Sequence, residues 1–119
     1  MDLVAGTEQA WGSILELLES LQEDEWSRAT PCEAWDVRDI AAHLGAVEGG
    51  FMGFPQPPVP DGWSGGDGID GWTAAGIAAR QDWSNRDIID EVRRAADARI
   101  ALLEAAKDEA GWSAPAMGP

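Results

Sequence analysis

His43 is the one histidine of this chain and Cys32 its one cysteine. Near neutral pH an imidazole can trade a proton or ligate a divalent metal, and a thiolate can act as a nucleophile or soft ligand. At about 100° per residue, His43 falls beside Ile40 and Val47, on the flank of an apolar helical stripe. Asp39 lies one turn earlier on the same face, where a carboxylate is expected to accept a hydrogen bond from the ring. A catalytic zinc site wants about three protein ligands plus an open position. The sequence has no HxxxH, HExxH or CxxC pairing, so spacing alone makes His43 a half-buried polar residue and not a ligand.

Cys32 stands shortly before a helix predicted to start at Asp36, where the helix dipole would favour the thiolate. Glu33 and Asp36 oppose that charge, and Cys32 reads as a small buried apolar residue. Among seven tryptophans, Trp63 and Trp72 flank a Gly/Pro-rich loop and are the ones expected to touch a ligand. The glycines of GWSGGDGIDG form no phosphate loop, because no GK[ST] follows and no strand precedes. The acids of QEDE are expected to cover a solvated hairpin end.

The elements that must position these residues are helical. Leu3, Thr7, Ala10, Ile14, Leu17 and Leu21, widened by Trp11 and Leu18, predict an amphipathic helix from Asp2 to about Leu21. Pro31 breaks the following linker, which Trp26 and Trp35 are expected to pin to the bundle end. A second helix is expected from Asp36, as N-cap with Asp39, to about Glu48, with Val37, Ile40, Ala41, Leu44 and Val47 inward and Gly49-Gly50 as its stop. Residues 49–71 read as a loop, too long for a bare connector, and Phe51, Phe54 and Trp63 argue that it folds back onto the domain. A short helix is expected over Trp72–Gln81, and a long one from the Ser84 cap to about Ala110. Ile89, Val92, Ala96, Ile100, Leu103 and Ala106 form its inward stripe; Glu91 is placed outward, and Asp90–Arg94 is an expected ion pair.

The 119 residues are 45% hydrophobic, enough for one domain with one core. With 22 acids against 8 bases the net charge is -14, a surface that repels nucleic acid and anionic lipid. No apolar run approaches a membrane span and no signal peptide is visible, so with one cysteine the expected setting is the reducing cytoplasm.

EDEWSRATPC (23–32) and DEAGWSAPAMGP (108–119) echo each other: each follows a long amphipathic helix with acids, Trp-Ser and a proline break. After the first copy a helix begins; after the second the chain ends. Two pseudo-repeated hairpins lacking the last helix are expected, hence a domain over 1–119 that is C-terminally incomplete, or one whose groove a second copy fills as a homodimer.

The run EDEWSRATPCEAWDVRDIAAHLGAVE resembles the N-terminal, metal-binding domain of mycothiol-dependent maleylpyruvate isomerases, within the DinB-like superfamily. Trp26, Thr30-Pro31-Cys32, Trp35, Val37-Arg38-Asp39 and His43-Leu44 carry the likeness, and GIAARQDWSNRDIIDEVRRAADARIALLEAA is similar to that family's third helix. The resemblance implies an all-α, antiparallel four-helix bundle, here lacking its fourth helix, with a divalent metal, typically zinc. His43 matches one metal ligand; the other two belong to a fourth helix expected beyond residue 119. It further implies mycothiol as a thiol cosubstrate, activated by the metal for isomerase or S-transferase chemistry on a small molecule. In the isomerase the thiolate adds to the cis double bond of maleylpyruvate, the adduct rotates, and expulsion gives fumarylpyruvate. The alternative is a non-catalytic helical binding or regulatory module, or a truncated relative without a complete metal site.

Overall fold

A computed structural model describes residues 2–31, 35–63 and 68–110, omitting the side chains of 68–70 and 108–110. The described residues are all-helical, as expected of a DinB-like bundle, with α1 over Leu3–Ser20, α2 over Val37–Phe51, α3 over Gly68–Ala78 and α4 over Asn85–Ala110. A single 3-10 turn, Glu23–Glu25, follows α1, and an isolated bridge pairs Ala29 with Asp36.

The helix starts follow their caps. Asp2 accepts from the Ala5 amide at 3.1 Å, and Ser84 Oγ accepts from Asp87 N at 3.0 Å. Asp36 and Asp39 form a reciprocal box: Asp39 N donates to Asp36 Oδ1 at 2.9 Å, and Asp36 N donates to Asp39 Oδ2 at 3.1 Å. The linker is pinned where Trp26 is buried, its carbonyl accepting from Arg38 N at 2.9 Å while Arg28 O accepts from Val37 N at 3.1 Å. Glu23 and Asp24 are exposed at that hairpin end, as expected.

Two boundaries differ from expectation. α2 runs through Gly49-Gly50 to Phe51, and the left-handed glycine that ends it is Gly53, at φ 80°. Gly49 stays helical because Phe54 folds back over it: its amide donates to Gly49 O at 2.9 Å, and a β-carbon at Gly49 would touch the Phe54 ring at 3.4 Å. α3 begins at Gly68, not Trp72, and ends at Ala78.

α4 is the central helix, with α2 along one side and α1 along another, while α3 packs on α2. Its N-terminal half is buried through Ile88, Ile89, Val92, Ala95 and Ala96, whereas Ile100, Leu103 and Ala106 are half-buried. The buried stripe of α1 is Val4, Leu15 and Leu18 with Trp11 and Ile14 packed alongside; Leu17 and Ala10, expected inside, are exposed. One helical neighbour covers only a narrow arc of α1, so two stripes one residue apart are not equally buried. In α2 the buried face is Ala41, Ala42, Gly45, Ala46 and Gly49, while Val37, Ile40, Leu44 and Val47 are only partly covered. Small residues let α3 and α4 approach α2 closely; a β-carbon at Gly76 of α3 would lie 3.3 Å from that of Ala46.

Candidate functional site

His43 sits on α2 where α3 and the Gly/Pro loop come together. Its imidazole, half-buried, lines a cavity of about 200 Å³. Ala46 of α2, Ala75 and Gly76 of α3 and Ala79 just after it make the floor, and Pro57, Val59 and Trp72 make the walls. The small floor residues are those that let α2 and α3 pack closely, so the same spacing that builds the interface leaves the space. Trp72, 52% exposed, stands at the rim, with its ring 3.9 Å from where a β-carbon of Gly50 would be. Of the two tryptophans expected to touch a ligand, Trp72 lines this cavity and Trp63 is not among its walls.

The ring of His43 packs against Trp35, centroids 5.2 Å apart and planes tilted by 46°. Burial alone lowers the His43 pKa below its ordinary 6.5, which favours the neutral imidazole. The expected partner Asp39 does not hold the ring. Its carboxylate is committed to Asp36 N in the helix cap. Burial foremost, and then the neighbouring Asp36 charge, pushes its pKa up, against the opposing pull of the Asp36 amide. Asp39 instead lines a neighbouring cavity of about 300 Å³, with Trp35, Arg38 and α3.

Sequence reasoning missed the cluster behind the cavity. Arg80, fully buried, forms a two-pronged pair with Glu91: Nε to Oε1 at 2.6 Å and Nη2 to Oε2 at 2.7 Å. Arg80 Nη1 also donates to Gly76 O at 2.8 Å and Nη2 to Gln56 Oε1 at 2.9 Å, and the guanidinium lies 5.2 Å from the Trp83 ring centre. Arg38 donates to the carbonyls of Arg80 and Trp83, fixing the turn that carries Arg80. The pair ties the C-terminal end of α3, the loop and α4 together. Glu91 was expected outside, but it falls three residues after Ile88 and four before Ala95, both buried, so the helical period itself marks position 91 as inward. The expected Asp90–Arg94 pair is replaced: Asp90 accepts from Arg86 at 3.1 Å, and Arg94 lies 5.3 Å from the centre of the Phe54 ring.

A family model described as the mycothiol maleylpyruvate isomerase N-terminal domain matches residues 7–119. The chain belongs to that family. No curated protein and no solved structure matches it. For a mycothiol maleylpyruvate isomerase N-terminal domain, the family points to a small-molecule thiol as partner. No described helix is long and apolar enough to cross a membrane. Among the described residues no three His, Cys, Asp or Glu side chains cluster in a way that could hold a metal ion. Cys32 lies outside the described residues, as does 111–119, the end of the second copy of the internal echo.

Proposed function

We propose that this chain is the His43-bearing domain of a mycothiol-dependent isomerase or S-transferase, and that thiol chemistry takes place at the mouth of the His43 cavity. One observation carries the reading: the sole imidazole lines a cavity and packs against Trp35, and its burial there favours the neutral form. A neutral imidazole offers a lone pair, which is what a metal or a thiol proton requires.

The divalent metal expected from the resemblance, zinc above all, fits the described residues only as far as His43. No second imidazole or carboxylate stands with it among them, so no catalytic step is derived through the metal. In this proposal His43 is one ligand, and the remaining ligands come from chain outside the described residues, on a helix that would complete a bundle begun by 1–119, or from a second copy. The chain's own residues bind and orient: Trp35 packs against the ring, and the loop and Trp72 bound the space beside it.

The second reading, a non-catalytic helical binding module, draws on the same lack of a three-ligand cluster among the described residues. Equilibrium dialysis of the full-length gene product against zinc separates the two. About one tightly held zinc per chain, lost in His43→Ala, is expected for a metal-dependent enzyme. No tight zinc in wild-type protein, or zinc unaffected by His43→Ala, overturns the metal role of His43.

A further inference from the structure

A second cleft, of about 300 Å³, opens between the first turn of α2 and the end of α3. It stands at the small end of the range for small-molecule sites, about 300–1,000 Å³. Ala74 and Ile77 of α3 give it an apolar side, Trp35 an aromatic wall, and Arg38, Asp39 and Gln81 its polar groups. These polar groups have bonding capacity to spare. The bonds from Arg38 to the carbonyls of Arg80 and Trp83 both leave from Nη2, so they use neither Nε nor Nη1. Asp39 takes the Asp36 amide on Oδ2, and a carboxylate has a second oxygen. Gln81 is exposed in the turn that follows α3, and its amide both donates and accepts. Trp35 is tied down through its own carbonyl, which accepts from Thr30 Oγ1 at 2.8 Å.

A donor, an acceptor and an amide that is both, set around an aromatic wall, suit a sugar or cyclitol ring. Its hydroxyls each donate and accept, and its C–H face is apolar. Trp35 links this cleft to His43: it lines the cleft, and its ring centre is 5.2 Å from that of the imidazole. Asp39 and His43 are one turn apart on α2, about 6 Å along the axis. A molecule with a polyol at one end and a thiol on a short arm therefore spans both places. The thiol in the family's description is mycothiol. Its cysteine is joined through an amide to glucosamine, which carries inositol. We infer that the cleft of Trp35, Arg38, Asp39 and Gln81 seats the sugar ring of the thiol cosubstrate, and that Trp35 is the shared contact that sets the sulfur toward His43. This assignment rests on the reading of His43 as the place of thiol chemistry.

The test uses the full-length gene product with the thiol-free part of mycothiol, N-acetylglucosaminyl-inositol, as probe and glucose beside it at equal concentration. The readout is the indole N–H signal of Trp35, identified by its loss in Trp35→Phe. The disaccharide is expected to shift this signal saturably, and glucose to shift it less. Gln81→Ala, at an exposed turn position where folding is not at stake, is expected to weaken the disaccharide by about three- to ten-fold, the loss of one hydrogen bond. A disaccharide that leaves the Trp35 signal in place in folded protein, or whose binding is untouched by Gln81→Ala, overturns the assignment of the cleft. Glucose bound as tightly as the disaccharide overturns its tie to the thiol. The zinc dialysis reads His43 independently. Zinc lost in His43→Ala upholds the metal role even where the cleft fails, whereas no tight zinc beside a disaccharide seated on Trp35 overturns the metal role and leaves the sugar site standing.

Discussion

A β-carbon on Gly45 would lie 2.7 Å from Oε1 of Glu91, so the bare α-carbon of one helix is what admits the buried carboxylate of the other. Glu91 has no room to retreat, because both its oxygens are engaged by Arg80. Gly45→Ala is therefore expected to destabilise the fold by about 1–3 kcal/mol, the range for overpacking a filled core, despite the better helix propensity of alanine. Gly12→Ala, where the added methyl meets nothing within 4 Å, is expected to stabilise by roughly 0.5–1 kcal/mol. Urea denaturation of the two variants should move in opposite directions.

The ion pair itself responds asymmetrically. Arg80→Met strands a buried carboxylate and is expected to cost about 3–5 kcal/mol, whereas Arg80→Met with Glu91→Leu should recover most of the loss, since an apolar pair carries no desolvation penalty. Denaturant midpoints of the single and double variants measure this. Gln56→Ala removes a charged hydrogen bond to Arg80 and is expected to raise amide exchange in residues 54–60 with a smaller stability loss.

Burial lowers the His43 pKa, and the sign of its effect on stability follows. Below the ordinary value of 6.5 the unfolded chain takes up a proton that the folded chain resists. The stability that His43 contributes is thus complete above 6.5 and is lost as pH falls toward the lowered folded value. An NMR titration of the ring should give a midpoint under 6.5, and Trp35→Ala, which strips away the packed indole, should bring it back up. A midpoint at or above 6.5 in the wild type would refute the burial account. In His43→Gln the slope of stability against pH just below 6.5 should flatten.

Much of the fold was legible because its signals are local. Asp2, Asp36 and Ser84 cap helices through bonds to amides three residues on, within reach of the same short segment. The apolar period of α4 places Ile89, Val92 and Ala96 inward by the same local logic. The rotation of α1 and α2 was less legible. Leu17 and Leu18 are chemically alike, and only the position of α4 decides which one is buried. On α2 the expected stripe holds the buried Ala41 and the core-packed Leu44, but its other bulky residues are only partly covered, because close packing against α3 and α4 favours alanine and glycine at the centre of the face.

The candidate site divides in the same way. Sequence by itself determined the helical class, the family resemblance around Trp35 and His43, and the acidic surface, since each is written in residue types and short spacings. Tertiary structure alone decided that Asp39 serves the cap and not the imidazole, that Arg80 and Glu91 meet in the core, and that the loop bearing Gln56 and Val59 walls the cavity beside His43. Those relationships join segments from 11 to 24 residues apart through hydrogen bonds and close packing, or set one acceptor against another, and no periodicity along the chain encodes them.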